Sequence, residues 1–81
     1  MNSRDLRRDL LNYLKRHDLE KKFKKQLNLL LIDFRHPSLH TEVLEPKYRK
    51  IYSFRLDQKY RVIFIIQNGD VVIIDINDHY Q

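Results

Sequence analysis

Apolar residues in the first 35 positions recur at spacings of three and four, which is the period of an α-helix. The first apolar stripe runs over residues 5–16, and Asn2 or Ser3 is available to cap its start. After a break at His17-Asp18, a second stripe keeps the same period for about four turns until Pro37, which cannot continue a helix. The pattern predicts two helices, at about 4–16 and 19–35. A two-residue break between them favours an antiparallel helical hairpin.

The second half of the chain changes to the period of two that is typical of strands, and it is rich in Ile, Val, Phe and Tyr. Runs at 51–56, 60–66 and 71–76 predict three strands, and Asn68-Gly69 between the last two is a strong signal for a two-residue hairpin. Residues 57–59 join the first two strands, so an antiparallel meander is expected. Residues 41–44 add a candidate edge strand, which gives a sheet over about 41–78.

A two-residue hairpin at Asn68-Gly69 also predicts which strand residues share a face of the sheet. One face is expected to carry Val62, Phe64, Ile66, Val71 and Ile73, and the other Arg61, Ile63, Ile65, Val72, Ile74 and Ile76. Both faces are largely apolar, so we expect the helices to cover one and a partner or a C-terminal element to cover part of the other. The predicted fold class is α+β, with the N-terminal two-helix hairpin packed on one face of a small, mainly antiparallel β-sheet.

Length and composition favour a single small domain over residues 1–81. The chain has 81 residues, of which 42% are apolar, and this apolar content argues against disorder of the whole chain. It has no cysteine, so neither a disulfide nor a thiolate metal site is expected. The first eight residues are charged rather than apolar, and no stretch approaches the about 20 apolar residues of a membrane span. We therefore expect a cytoplasmic protein that does not enter a membrane.

Positive charge is concentrated in two blocks. The chain carries 16 Lys and Arg against 11 Asp and Glu, with a pI near 9.6. Residues 1–25 hold nine basic and four acidic side chains, and residues 47–61 hold six basic and one acidic. Such blocks favour a polyanionic partner, of which nucleic acid is the commonest. Membranes and acidic proteins are alternatives, and the lysines at 21–25 are equally consistent with a solvated helix face.

Arg55 and Arg61 are the first candidates for chemistry. On a three-residue loop they face each other across the first predicted hairpin, where two guanidinium groups repel. A phosphate between them would explain the pair, because the planar fork of arginine matches phosphate oxygens in two-point contacts. The alternative is that each arginine reaches separately to an acidic neighbour such as Asp57, Asp75 or Asp78.

His79 and Tyr80 follow the last predicted strand, which returns beside the Tyr60-Arg61 end of the strand before it. A histidine there is suited to proton transfer at neutral pH, and a tyrosine to stacking on a base. An exposed polar tail is the alternative. Glu45, ahead of Pro46, is a candidate carboxylate base, with a surface salt bridge as the alternative.

His36 and His40 are four residues apart, but Pro37 prevents the helical turn that would point both at one metal ion. No carboxylate or thiolate completes a ligand set, so both are interpreted as loop residues. We expect neither a metal nor a cofactor.

Taken together, these segments resemble the RelE/ParE superfamily of bacterial toxin–antitoxin toxins, and the resemblance spans essentially the whole chain. An arginine before the hairpin, another after it and a terminal His-Tyr pair are most similar to the YoeB-like and RelE-like messenger-RNA interferases. The segments that carry the resemblance are the helix pair, His36-Pro37-Ser38-Leu39 leading to Leu44, Tyr52-Ser53-Phe54-Arg55-Leu56, Tyr60-Arg61-Val62-Ile63-Phe64 and Asp78-His79-Tyr80.

The resemblance implies a RelE-like fold and a metal-independent endoribonuclease that cleaves messenger RNA in the ribosomal A site. Its partners would be a cognate antitoxin, messenger RNA and the ribosome with its RNA. Arg55 and Arg61 match family arginines that hold the scissile phosphate. His79 and Tyr80 match the terminal acid and base-stacking pair. Glu45 resembles the general base of the YoeB-like branch, with Glu42 as its substitute.

RelE-like members use basic residues in place of that carboxylate, and Lys47, Arg49 or Lys50 would then play the part. These three residues and Lys59 are the expected RNA-binding residues. The ParE branch shares the fold, inhibits DNA gyrase and lacks ribonuclease activity, so a non-catalytic gyrase inhibitor is the alternative function. The His-Tyr ending argues against that branch.

Overall fold

The computed structural model describes residues 1–78, which form two helices packed on a five-stranded sheet. Turns of 3-10 helix occupy Pro37–Leu39 and Lys47–Arg49. This architecture confirms the predicted α+β class. The elements are β1 (Asn2–Ser3), α1 (Arg8–Arg16), α2 (Glu20–Ile32), β2 (Glu42–Val43), β3 (Tyr52–Arg55), β4 (Arg61–Gln67) and β5 (Asp70–Asn77).

The strands lie in the order β1-β5-β4-β3-β2. The predicted meander of β3, β4 and β5 is antiparallel, and the predicted edge strand is present as β2. β1 was not expected from the sequence. It pairs in parallel with β5, and the Arg4 N–H extends this pairing by donating to the Val71 carbonyl at 3.0 Å. The sheet is therefore mainly but not wholly antiparallel.

Both helices are shorter than predicted. Because residues 2–4 pair with β5, Asn2 and Ser3 cannot cap a helix, and α1 begins only at Arg8. α2 ends at Ile32 because the backbone of Asp33 is extended. Phe34 still packs against the core, which explains why the helical period seemed to continue to residue 35.

The hairpin between β4 and β5 has the predicted two-residue loop. Gln67 pairs with Asp70, and Asn68 and Gly69 both have positive φ angles, of 53° and 82°. This geometry matches the twist of the strands, and it explains why an Asn-Gly pair stands here. Glycine adopts such a φ at little cost because it has no Cβ.

A β-bulge in β5 changes part of the predicted face pattern. Phe64 pairs with Ile73 and Ile66 with Val71, as predicted, but Ile74 has no partner in the β4 register. This extra residue reverses the alternation beyond it. Ile76 therefore pairs with Val62 and is buried under the helices, and its predicted place on the opposite face was wrong.

The core lies between the helices and one face of the sheet. It combines the apolar stripes of the helices with the inward residues of β3, β4 and β5. Its fully buried members include Leu14, Leu30, Leu39, Phe54, Val62, Phe64 and Val71. Neither helix in the described part of the chain is long and apolar enough to cross a membrane.

Candidate functional site

Arg55 and Arg61 lie directly opposite one another on β3 and β4, as the three-residue loop predicts. They are on the sheet face away from the helices, which we call the arginine face. Asn77 on β5 pairs with Arg61 and completes their row across the sheet. The next row consists of Glu42, Ser53, Ile63 and Asp75. Four neighbouring strands therefore concentrate polar side chains at one end of this face.

Arg61 is held in a fixed orientation. Its side chain is buried, with the residue 8% exposed. Its Nε and Nη2 donate to the Ser53 hydroxyl at 3.1 and 2.9 Å, and Nη2 also donates to the His40 carbonyl. Ser53 is itself fully buried. Both acceptors are neutral, so these hydrogen bonds orient the guanidinium without adding a negative charge of their own.

Arg55 is anchored through its backbone instead. Its carbonyl accepts a 2.8 Å hydrogen bond from the Gln26 side-chain amide, and the same amide donates to the Ser38 carbonyl at 3.4 Å. Gln26 is buried among the apolar residues of α2. Within residues 1–78 the Arg55 guanidinium makes no hydrogen bond or ion pair, so it is available to a ligand.

The turn that joins β3 and β4 is ordered by Asp57. Its Oδ1 accepts from the backbone N–H groups of Lys59 and Tyr60, both at 2.9 Å. Its Oδ2 lies 3.2 Å from the Lys22 Nζ. Burial raises the pKa of Asp57, but the backbone hydrogen bonds and Lys22 together lower it by a larger amount. The pKa therefore lies below its ordinary value. Asp57 therefore serves the turn and Lys22 rather than the arginine pair.

Lys59, in this turn, contacts the end of the described chain. Its Nζ is 3.9 Å from the Asp78 carboxylate. This contact keeps the residue that precedes His79 at the arginine end of the sheet. The candidate residues His79 and Tyr80 themselves lie outside the described residues.

The structure does not bring Glu45 to the arginine pair by strand register. Leu44 donates its N–H to the carbonyl of Ile51, the residue just before β3, whereas Arg55 ends that strand. At about 3.3 Å per strand residue, the Glu45 end and Arg55 are separated by on the order of 13 Å along β3. Glu42, by contrast, pairs with Ser53 on the arginine face. The exposed Lys47, Arg49 and Lys50 follow Glu45 at the far end of the strand.

The two loop histidines are not joined in a metal site. In residues 1–78, no three His, Cys, Asp or Glu side chains are grouped to hold a metal ion. The His36 Nδ1 accepts from the Ser38 N–H at 3.2 Å and lies 3.0 Å from its hydroxyl, which caps the turn at Pro37–Leu39. His40 follows that turn in the left-handed backbone region.

Two side chains that shape the site were missed at the level of sequence. Ser53 interrupts an apolar strand and Gln26 interrupts an apolar helix stripe, and each interruption was a usable signal for a buried polar contact. The His40 carbonyl, which also binds Arg61, has no side-chain signature that a sequence could show.

Comparison with known sequences does not identify a family for this chain. No protein-family model matches the chain. A protein of Haemophilus influenzae, described only as uncharacterized, is 42% identical over 43 residues. That match covers 53% of this chain and 43% of the other protein, so it spans less than half of that protein's length.

Comparison with solved structures shows the fold. The YoeB dimer of Staphylococcus aureus has a TM-score of 0.74 at 17% identity, covering 98% of this chain and 94% of that one. A YoeB/ParE toxin of Agrobacterium tumefaciens has a TM-score of 0.71 at 14% identity, covering 89% of each. The YoeB-YefM toxin-antitoxin complex of Staphylococcus aureus gives 0.68 at 19%, covering 85% and 83%. The chain therefore has the fold of YoeB/ParE-type toxins, as the resemblance to the RelE/ParE superfamily implies.

Proposed function

We propose that this chain is the toxin of a type II toxin–antitoxin system and a metal-independent endoribonuclease acting on messenger RNA in the ribosomal A site. The observation that carries the proposal is the direct pairing of Arg55 and Arg61 on the face that the helices leave uncovered. Two like charges opposite each other destabilise a sheet. An anionic ligand explains their placement, and a phosphate suits the fork geometry of arginine.

In the proposed reaction, the RNA 2′-hydroxyl loses its proton to a base and attacks the adjacent phosphorus. The O2′–P bond forms and the P–O5′ bond breaks, which leaves a 2′,3′-cyclic phosphate and a 5′-hydroxyl. The five-coordinate phosphorus carries extra negative charge on its oxygens. Arg55, with its unoccupied guanidinium, and Arg61, oriented by Ser53 and His40, stabilise that charge because their positions are fixed beforehand.

Two proton transfers complete the proposed mechanism. Strand register places two carboxylates on the arginine face, Glu42 and Asp75. Glu42 is the one that the resemblance offers as a substitute for Glu45, so we assign the base role to Glu42. By resemblance, His79 gives the proton to the departing O5′ and Tyr80 stacks on a base. The pairing of Arg61 with Asn77 supports this assignment, since the chain reaches residue 78 beside the arginines.

The basic residues outside the pair are assigned to RNA. Lys47, Arg49, Lys50 and Lys59 are all exposed. Their charges would bind the backbone of messenger RNA or of ribosomal RNA, independently of sequence. A ribosomal target places the action of the protein in the cytoplasm.

A cognate antitoxin is the proposed protein partner. The solved Staphylococcus aureus complex pairs a YoeB chain of the same fold with YefM. A partner that binds only the folded toxin also stabilises it by mass action. Co-expression with a small acidic protein encoded beside this one should relieve growth arrest, and unchanged arrest would contradict the pairing.

A gyrase-inhibiting function remains the second candidate, because one observation favours it. Arg61 is buried and donates to Ser53 and His40, which is also what a purely structural arginine would do. In that case the arginine face would not touch RNA, and the protein would act by binding.

Primer extension on transcripts from cells that express the chain distinguishes the two candidates. The ribonuclease predicts new 5′ ends within coding regions, which disappear in the Arg55→Ala variant. The gyrase inhibitor predicts intact transcripts together with an induced DNA-damage response. A variant with Arg8→Ala, on the exposed side of α1, is the matched control and should cut as the parent does.

A further inference from the structure

A cleft of about 540 Å³ opens beside the edge strand β2, between the C-terminal end of α2 and the turn at Pro37–Leu39. Its volume lies within the range of about 300 to 1,000 Å³ that is typical of small-molecule sites. Its lining combines aromatic rings with donors and one carboxylate. The lining residues that matter here are Phe34, Arg35, His36, His40, Glu42 and Tyr52.

The aromatic part of the cleft is held rigidly. The Tyr52 ring stacks on Phe64 at a centroid distance of 5.4 Å and an angle of 23°. Phe34 meets Tyr52 edge-on at 5.7 Å and 89°. Because both rings are half-buried and fixed by these contacts, a flat ligand that stacks there costs little further ordering. Nucleic-acid bases use such platforms without strict sequence preference.

The polar part of the cleft suits a phosphate and a ribose. Because the His36 Nδ1 accepts from the Ser38 N–H, the neutral ring carries its proton on Nε2, which is a donor. The exposed Arg35 side chain makes no hydrogen bond or ion pair within residues 1–78, and its guanidinium gives the cleft a second, charged donor. Arg35 supplies a guanidinium and His36 a ring N–H, so the phosphate belongs on their side of the cleft and the base against the rings.

The cleft meets the arginine face at the edge strand β2, and its two rings lie on the helix-covered side of the sheet. His40 lines the cleft and its carbonyl accepts from Arg61, and Glu42 lines the cleft and pairs with Ser53. An RNA strand whose phosphate lies at the arginine pair would therefore reach the cleft with an adjoining nucleotide.

We propose that this cleft is a subsite for a single-stranded RNA nucleotide next to the scissile phosphate. The base stacks in the half of the cleft formed by Phe34 and Tyr52, and the phosphate binds Arg35 and the Nε2–H of His36. This inference rests on the proposed ribonuclease function for its biological meaning, but nucleotide binding can be measured without any cleavage.

The test is a titration of the isotopically labelled protein with adenosine 5′-monophosphate, followed by NMR, with inorganic phosphate in parallel. The nucleotide should shift signals of Phe34, Tyr52 and His36, whereas phosphate alone should bind more weakly and leave the ring signals unmoved. Tyr52→Leu keeps an apolar side chain against Phe64 but removes the stacking ring, and it should weaken nucleotide binding about 5- to 100-fold. Arg35→Ala, an exposed change, should weaken the nucleotide and phosphate alike, with Arg8→Ala as its matched control.

Three results would overturn the subsite: shifts confined to Arg55 and Arg61 or spread over the lysines of α2, unchanged nucleotide affinity in both cleft variants, or phosphate binding as tight as nucleotide binding. The last result would mean an anion site only. Failure of the proposed function is distinguishable from these. If the protein binds the nucleotide in the cleft but cuts no transcript, the subsite is supported and the proposed ribonuclease function is wrong.

Discussion

Ser53 determines how Arg61 is presented, because its hydroxyl accepts from two nitrogens of the same guanidinium. A buried guanidinium needs acceptors for its N–H groups, and a carboxylate in this role would have neutralised its charge. The Ser53 hydroxyl and the His40 carbonyl supply acceptors that carry no charge. Ser53 is thus a positioning residue in our account, acting on the phosphate through Arg61.

Ser53→Ala should lower both stability and activity. Loss of the shared acceptor leaves buried N–H groups of a charged side chain without their partner, which costs about 1 to 3 kcal/mol in the free energy of unfolding. Arg61 can then adopt other rotamers, so the cleavage rate should fall about 10-fold or more while KM changes little. Urea unfolding and single-turnover cleavage measure the two effects. If the variant is destabilised but cleaves at the parental rate, the role of Ser53 is only structural.

Asp57 gives the protein a defined acid sensitivity. Burial raises its pKa and the hydrogen bonds from Tyr60, Lys59 and Lys22 lower it, with the net pKa below the ordinary 3.8. A pKa depressed in the folded state contributes stability that is present above about pH 4 and is lost as the pH falls through the folded value. Asp57→Asn cannot ionise, so it should be less stable than the parent near neutral pH. Urea unfolding at several pH values should show this difference shrinking below about pH 4, and a constant difference would contradict the assignment.

At the scale of elements, Gln26 connects α2 to the strand that carries Arg55 and to the turn at Pro37–Leu39. Its single amide donates to the carbonyls of Arg55 and Ser38. That turn leads directly to His40, whose carbonyl binds Arg61. One buried side chain therefore fixes the backbone on both sides of the arginine pair.

Gln26→Leu should loosen this end of the sheet. The apolar replacement fits the helix stripe but leaves two carbonyls without their donor, which costs about 1 to 3 kcal/mol in unfolding free energy. Hydrogen exchange should accelerate at the Leu56 amide, which pairs with Tyr60 just beyond β3. Gln58→Leu, in the exposed β3–β4 turn, is the matched control. Equal exchange rates in both variants would contradict this role of Gln26.

The elements themselves were largely predictable because their signals are local. Helical periodicity, the Asn68-Gly69 turn and period-two strands gave the fold, and the loop length gave the opposition of Arg55 and Arg61. The predictions that failed concern features that depend on contacts between residues far apart in the sequence. The pairing of residues 2–3 with β5, the bulge at Ile74 and the end of α2 at Ile32 all follow from tertiary packing that no local pattern encodes. The register also places Glu42 on the arginine face and Glu45 beyond the other end of β3, and the roles of both residues stay predictions.

At the scale of the whole molecule, the two faces of the sheet differ in what they carry. The helices cover one face and supply the core, while the other carries the arginine pair. The cleft that we propose as a nucleotide subsite lies at the β2 edge of the sheet. The formal net charge of +5 favours association with a polyanion. Antitoxin binding should be separable from this chemistry, because Arg55→Ala removes a side chain without partners in the described chain.

Arg55→Ala should therefore retain antitoxin binding while losing growth toxicity. Its backbone carbonyl can still accept from Gln26, so the fold is expected to persist. Co-purification with the tagged antitoxin measures the first property, and colony formation after induction measures the second. A variant that is folded and still arrests growth would contradict the role of this arginine.

The most direct measurement is the single-turnover cleavage rate of messenger RNA on purified ribosomes with a defined codon in the A site. Parental protein should cut the transcript, and removal of one charge-stabilising donor in Arg55→Ala should lower the rate about 100- to 1,000-fold. Arg61→Lys should be similarly impaired, because an ammonium group cannot reproduce the planar donor set that holds Arg61 against Ser53 and the His40 carbonyl. If folded Arg55→Ala and Arg61→Lys variants cut ribosome-bound messenger RNA at the parental rate, the arginine face is not the catalytic site.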